Sequence, residues 1–257
     1  MKVLYLSKHK RSAVRALETL VDRGCEVGGV VVPPATGEEH AAQRTDLAAE
    51  RLGVALATED EAYALAEEAD LVVSFLYPRL IREPLISGPA VGCLNFHPAP
   101  LPDMRGVGGY NVAVLEGFTE WGVSAHFVDE SFDTGDLVEV RRFAIDPTAE
   151  TAWSLDLRSQ DELLEVFRGV LDAVLRGDDL PREPQGKGRY VSRQELEEMR
   201  RTPPDADAEE VERRIRAFWY PPWPGATIER SGSTYTLVDE SRLAEVARAL
   251  RDAGEVP

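Results

Sequence analysis

The apolar positions of this chain fall into short runs that alternate with amphipathic stretches, starting with Val3-Leu4-Tyr5-Leu6 immediately before a basic turn. Short apolar runs bounded by turn residues predict buried strands, whereas apolar positions recurring three and four apart predict helices. Residues 3–7 therefore read as a strand, 13–23 as a helix and 27–32 as a second strand, a βαβ unit with parallel strands. Residues 46–52 and 59–68 read as helices, and 71–75 and 90–97 as further buried strands. Pro98, Pro100 and Pro102 then fix φ and remove backbone donors, so the chain leaves that last strand as a stiff, extended loop. A helix over 110–116 follows Gly108-Gly109.

The second half continues the pattern less regularly. Residues 123–128 and 137–145 have strand character and flank an acidic turn over 129–136. Residues 151–175 carry apolar side chains at helical intervals, among them Leu155, Leu163, Leu164, Phe167 and Leu171, and predict one long helix or two joined ones. Composition shifts to Gly, Asp, Pro and Arg over 177–188, which marks a linker or an excursion between subdomains. Beyond it lie helices near 193–200 and 208–217, an aromatic-proline cluster, and a hairpin with strands 226–229 and 235–238 around Ser231-Gly232-Ser233. A terminal helix over 241–253 completes the reading. The expected fold class is α/β, a mostly parallel sheet flanked by helices over 1–180, with a small α+β carboxy-terminal subdomain over 181–257.

Composition narrows the partners. A length of 257 residues with 43% hydrophobic content suffices for one large core and a smaller appendage. A formal charge of −17 argues against nucleic acid, whose phosphates are met by clustered Lys and Arg. Three of the lysines, Lys2, Lys8 and Lys10, sit near the amino terminus, so the Lys8, Lys10, Arg11 cluster stands out on an acidic chain. The opening residues lack a secretory pattern and no segment approaches the roughly 18 apolar residues of a membrane span, so a cytoplasmic protein with no membrane partner is expected. Cys25 and Cys93 lack metal-ligand spacing and read as buried free thiols; no metal site is expected. The loop Ser7-Lys8-His9-Lys10-Arg11-Ser12 has neither the dinucleotide glycine fingerprint nor the Walker pattern, which disfavours redox and nucleoside-triphosphate chemistry. With Ser12 at a helix amino terminus it is equally an anion site or an ordinary solvated turn.

The chemistry concentrates in Asn95-Phe96-His97-Pro98-Ala99-Pro100-Leu101-Pro102 and, further along, Asp133-Thr134-Gly135. An amide, an imidazole and a carboxylate that meet at the end of a buried strand can stabilise a tetrahedral intermediate and move its protons, which is acyl-transfer chemistry. Separately, the Asn and the Asp read as turn formers and the His as a structural hydrogen-bonding residue. Their combination favours the catalytic reading. His126, in Ser124-Ala125-His126-Phe127, reads as a pocket or core residue.

Together with Arg105-Gly106, Gly122-Val123-Ser124-Ala125-His126 and Ile215-Arg216-Ala217-Phe218-Trp219-Tyr220-Pro221-Pro222, these motifs resemble the folate-dependent formyltransferase family. Within it they are most similar to the sugar N-formyltransferases that act on nucleotide-linked amino sugars. The resemblance implies a Rossmann-like formyltransferase core and 10-formyltetrahydrofolate as formyl donor and co-substrate, without a metal. It implies that Asn95 and His97 hold the developing oxyanion while Asp133 orients His97 or accepts the ammonium proton. Tyr77, Arg79, Leu80 and Ile81 would receive the pterin, with Val128 and Asp129 on the facing wall. Lys8, Lys10 and Ser12 would meet a diphosphate, Met104, Arg105 and Gly106 would shape the sugar site, and Trp219 or Tyr220 would stack on a base. At least two of Phe218, Trp219, Tyr220 and Trp223 are expected to pack the carboxy-terminal subdomain instead.

The implied reaction is formylation of the amine of a nucleotide-linked amino sugar, a dTDP-linked amino-deoxysugar being the first candidate. The expected partners are the sugar nucleotide and the folate, with a homodimer left open. Three alternatives stand beside it. A methionyl-tRNA formyltransferase is expected to carry a larger basic carboxy-terminal domain, and a formyltetrahydrofolate hydrolase an extra amino-terminal one. The non-enzymatic alternative is a sugar-nucleotide-binding module with a dead site, which retention of all three polar residues disfavours.

Overall fold

A computed structural model of the chain describes residues 1–37 and 39–252. The first βαβ unit is β1 (Lys2–Ser7), α1 (Arg11–Asp22) and β2 (Glu26–Val31), followed by α2 (Thr45–Leu52), α3 (Glu59–Leu65), β3 (Leu71–Phe75) and β4 (Gly92–His97). Then come β5 (Met104–Gly106), α4 (Gly109–Leu115), β6 (Glu120–Phe127), β7 (Leu137–Ala144) and the long helix α5 (Ala152–Arg176). The remainder comprises β8 (Arg189–Val191), α6 (Arg193–Met199), α7 (Ala208–Ala217), β9 (Thr227–Arg230), β10 (Ser233–Thr236) and α8 (Glu240–Asp252).

The main sheet has the order β2-β1-β3-β4-β6-β7, with β1 parallel to β2 and β3, β3 parallel to β4, and β6 antiparallel to β4. Ser7 pairs with Phe75 and Phe75 with Phe96, so the carboxyl ends of β1, β3 and β4 lie level along one edge. That edge is where open α/β sheets bind ligands, because the strands end there and the connecting loops converge.

Packing divides the described chain into two compact units, and the grouping does not follow chain order. The first comprises Met1–Gly106, Gly122–Phe143 and Arg158–Arg189. One face of its sheet buries Phe75 and Phe96 against Phe167 of α5, with Phe96 and Phe167 meeting edge to face at 5.0 Å. Each of these rings contributes roughly 1.5–3 kcal/mol by its burial. The opposite face buries Leu4, Leu6, Val72 and Cys93 with Ala62 of α3. The second unit comprises Val107–Trp121, Ala144–Leu157 and the chain from Tyr190 onward. Its centre includes Trp121, fully buried between Tyr110 and Phe118, and the buried residues Ile215, Ala217 and Phe218.

Several elements differ in detail from the sequence reading. The helix expected to reach 68 ends at Leu65 and finishes as a 3-10 turn over Ala66–Glu68. Residues 152–176 form one helix. The hairpin turn is Ser231-Gly232, both with positive φ, so Ser233 pairs with Arg230 and the second strand starts at 233 rather than 235. A two-residue turn of that hand sets the register and leaves no slack. Ala253, expected to end the last helix, lies outside the described residues. Residues 177–188 fold back onto the first unit, where Glu183 and Leu137 exchange two backbone hydrogen bonds of 2.8 and 3.0 Å. Cys25 and Cys93 are buried free thiols, and among the described residues no helix is long and apolar enough to cross a membrane.

Candidate active site

Alternation along β4 turns Phe96 into the core and places Asn95 and His97 together on the other face. Paired residues of neighbouring strands share a face, and Asn95 pairs with Ser74 of β3 on one side and His126 of β6 on the other. The register therefore builds a polar row. Ser74 Oγ donates to Asn95 Oδ1 at 2.7 Å, and Asn95 Nδ2 lies 2.9 Å from His126 Nε2. His126 Nδ1 stands 2.6 Å from the Phe127 carbonyl, which only accepts, so that nitrogen carries the hydrogen and Nε2 is left to accept from Asn95. His126 is 2% exposed, and its claim on the site comes from the β6 register. Ser74 had no signal in the sequence, because a serine ending a buried strand is unremarkable until its neighbour across the sheet is known.

Asp133 reaches the same place from the turn between β6 and β7. Its φ of 56° is in the left-handed region, which Asp tolerates better than most residues. Asp133 Oδ1 stands 3.4 Å from His97 Nδ1 and 3.8 Å from His126 Nε2, which joins Ser74, Asn95, His126, Asp133 and His97 into one cluster. The turn is held from within: the Asp129 carboxylate accepts from Thr134 Oγ1 at 2.6 Å and from Ser131 N at 3.0 Å. It also needs glycine at its end, since a Cβ on Gly135 would lie 2.0 Å from the Phe127 carbonyl oxygen.

The charges in the cluster follow from burial and from the neighbouring polar groups. Desolvation holds the His97 imidazole below its ordinary value, against the attraction of Asp133 and a backbone hydrogen bond to Met104, and with the help of His126 and Lys8. Burial works to raise the Asp133 carboxyl, but His97, His126 and the Gly106 N–H outweigh it and bring it down to about 2. At neutral pH the pair is thus a neutral imidazole facing a carboxylate. The carboxylate only accepts, so the His97 hydrogen resides on Nδ1 and Nε2 presents a lone pair. His97 Nε2 is buried and has no hydrogen-bond partner among the described residues.

The loop after His97 is pinned by Ser124, whose Oγ accepts from Leu101 N at 2.9 Å and donates to the Ala99 carbonyl at 2.8 Å. Ser124 pairs with His97 across the β4–β6 register and is fully buried. Ser124→Ala leaves a buried N–H unpaired, so it is expected to cost about 1–3 kcal/mol in denaturant unfolding. A midpoint equal to wild type would show that the loop is held by its prolines alone.

The residues expected to receive a pterin gather beside this cluster. Tyr77, Arg79, Leu80, Ile81 and Val128 line one narrow cleft of about 40 Å³ with Ser74, Asn95, His126 and Asp133. Leu76, just before this wall, has a φ of 60°, a conformation costing a branched side chain about 1–2 kcal/mol. Tyr77 Oη and Arg79 Nη1 both donate to Glu59, which fixes their outward side. Asp129 uses its side chain within the turn.

The residues expected to bind an acceptor are more scattered in their engagements. Lys8 lies within electrostatic reach of His97. Ser12 is buried and its Oγ donates to Gln160 at 2.5 Å, so its side chain ties α1 to α5 rather than facing a phosphate. Lys10 caps α1 through its backbone only. Met104 is buried, the Gly106 N–H is turned to Asp133, and Arg105 Nη2 donates to Gln185 and to the Gly186 carbonyl. In the second unit Trp219 is 8% exposed and Tyr220 Oη donates to Asp156 at 2.6 Å, whereas Trp223 is 67% exposed. Trp219 is therefore a packing residue, and Trp223 is the aromatic of that cluster with a free face. Among the described residues no group of three or more His, Cys, Asp or Glu is placed to hold a metal ion.

A mostly parallel α/β sheet that gathers an amide, an imidazole and a carboxylate at its carboxyl edge has the groups that group transfer requires. The family model for formyl transferases matches residues 9–171, and the chain belongs to that family. A methionyl-tRNA formyltransferase of Myxococcus xanthus is 36% identical over 163 residues, 63% of this chain, which spans about half (51%) of that relative's length. Another, from Neisseria gonorrhoeae, is 30% identical and covers 100% of this chain and 85% of its own. The fold is shared with the N-formyltransferase of Helicobacter canadensis, solved in complex with folinic acid and dTDP-3-aminofucose. The two align with a TM-score of 0.74 at 20% identity, over 90% of this chain and 85% of that one.

Proposed function

We propose that this protein transfers the formyl group of 10-formyltetrahydrofolate to the amine of a nucleotide-linked amino sugar, with Asn95, His97 and Asp133 as its catalytic residues. The observation that carries the catalytic part is the buried, unpartnered His97 Nε2 in a cluster whose other ring and carboxylate atoms face one another. A buried polar atom of that kind takes its hydrogen bond from water or from a bound molecule, and this one belongs to the same cluster as Asn95 and Asp133.

The donor supplies an electrophilic carbonyl carbon, and the residues do the rest. Asn95 Nδ2, with one hydrogen directed at His126, has a second to donate to the carbonyl oxygen as it gathers charge. His97 Nε2 takes the proton released by the attacking amine as the new C–N bond forms, and returns it to the departing nitrogen when the old bond breaks. Asp133 holds the ring through Nδ1 and offsets the imidazolium charge that develops. With its carboxyl near 2 it is a poor base, so its role is to orient His97. The cleft at Tyr77 to Ile81 would take the pterin, with Val128 and the turn that carries Asp133 on its other side.

The acceptor assignment is supported by the shared fold with the sugar enzyme and by the formal charge of −17, which is repulsive toward a tRNA backbone. The sequence relatives favour the second reading, methionyl-tRNA. Incubation with 10-formyltetrahydrofolate and either a panel of dTDP-linked amino sugars or methionyl-tRNA separates the two. N-formyl sugar nucleotide is expected to accumulate; formylation of the tRNA instead would sink the sugar assignment. Donor loss without a formylated acceptor would mark a hydrolase, and binding of both ligands without turnover a binding module.

A further inference from the structure

The segment between α5 and β8 does more than connect them. Beyond its backbone pairing of Glu183 with Leu137, it lays Arg182 over the Phe127 ring at 3.4 Å and presses Gly188 against the Pro102 carbonyl, where a Cβ would stand 1.6 Å from the oxygen. Arg189 N then donates to the Asp103 carbonyl at 3.3 Å. Residues 182–189 are thus strapped from the start of β7 to the loop that follows His97.

At the middle of this strap stands Gln185. Its Nε2 donates to the Gly135 carbonyl at 2.6 Å and its Oε1 accepts from Arg105 Nη2 at 2.8 Å. The amide can be oriented only this way, because a carbonyl cannot donate and a guanidinium cannot accept. Gly135 closes the turn that carries Asp133, while Arg105 adjoins Gly106, whose N–H is bonded to the Asp133 carboxylate. One side chain therefore bridges the two backbone segments that hold Asp133 from either side.

We infer that Gln185 is a positioning residue, which fixes the Asp133 carboxylate against His97 by tying the 133–135 turn to the 104–106 segment. This rests on the assignment of His97 and Asp133 as catalytic, but its geometry can be tested without turnover. The groups bearing on His97 are Asp133, His126, Lys8 and the Met104 backbone, and of these the bridge restrains the Asp133 turn. If the carboxylate drifts outward, the imidazole loses its main stabilising charge and its proton affinity falls further.

The experiment is a histidine NMR titration of the whole protein, wild type against Gln185→Met, which keeps the side-chain length and removes both hydrogen bonds. The His97 midpoint is expected to move to lower pH by about half a unit, with His9 and His40 unchanged. A second variant, Gly188→Ala, lifts the strap from Pro102 and is expected to move His97 in the same direction. An unmoved His97 in Gln185→Met overturns the inference, and so does a displacement of all four histidines together, which is general loosening. In the formyl-transfer assay Gln185→Met is expected to lower kcat about tenfold with the donor KM changed less than threefold; a change in KM alone would place Gln185 in donor binding instead. Failure of that assay in the wild type would count against the proposed reaction and leave the titration result standing.

Discussion

His97→Ala is expected to lower formyl transfer by about 10²–10⁴-fold, the range spanned by loss of a positioned acid-base group, while the donor dissociation constant stays within a few-fold. The asymmetry follows from which residues line the cleft. His97 Nε2 is buried and unpartnered, whereas the cleft offered to the pterin is lined by Tyr77, Arg79, Leu80, Ile81 and Val128, which the substitution leaves in place. Rapid-mix turnover together with donor titration by fluorescence checks both halves. Equal losses in binding and rate would mean that the imidazole builds the pocket rather than moving a proton. The same reading sets the pH dependence. The working form is the neutral imidazole, and burial keeps its proton affinity below the ordinary 6.5, so wild-type activity is expected to persist below pH 6.5 and decline only as the ring finally protonates.

Asp133→Asn is expected to reduce turnover by about 10²-fold or more, with the turn intact. Asn accepts the left-handed conformation at this position as readily as Asp, so the substitution removes charge without straining the backbone. Losing the carboxylate leaves His97 Nδ1 without its anionic partner and the developing imidazolium without compensation. Stability changes too, with a definite sign. A carboxyl lowered from 3.8 to about 2 in the folded protein stabilises it above pH 3.8 and loses that contribution as the pH falls from 3.8 toward 2. Asp133→Asn is therefore expected to be less stable than wild type at pH 7 and to converge with it near pH 2, as read by denaturant midpoints. A constant gap between the two at every pH would show that packing, not charge, is lost.

Parts of the site differed greatly in how far the sequence disclosed them. Asn95, His97 and Asp133 were visible only in combination: each alone reads as a turn former or a structural residue, and together they carry acyl-transfer chemistry and the resemblance to the formyltransferases. Ser74 and His126 join the cluster through strand register, which depends on which strands become neighbours and in what direction. Ser12 was misleading for the opposite reason: its place at a helix amino terminus suggested an anion, but tertiary packing supplied Gln160 as its partner. Trp219 likewise reads as a ligand residue in the linear cluster and turns out buried, leaving Trp223 outward.

What the sequence determined by itself is local: the strand and helix periods, the extended exit after β4 imposed by its prolines, and the functional groups of the Asn, His and Asp side chains that make them candidates for acyl transfer. These follow from interactions within a few residues or from the chemistry of single groups. Tertiary structure alone decided the strand order that sets Asn95 between Ser74 and His126, the burial that makes His97 neutral, the gathering of His97, His126 and the Gly106 N–H that makes Asp133 strongly acidic against its burial, and the return of residues 182–189 over the Asp133 turn. Desolvation and cross-strand contact are properties of what surrounds a group, and that surrounding is assembled from residues far apart in the chain.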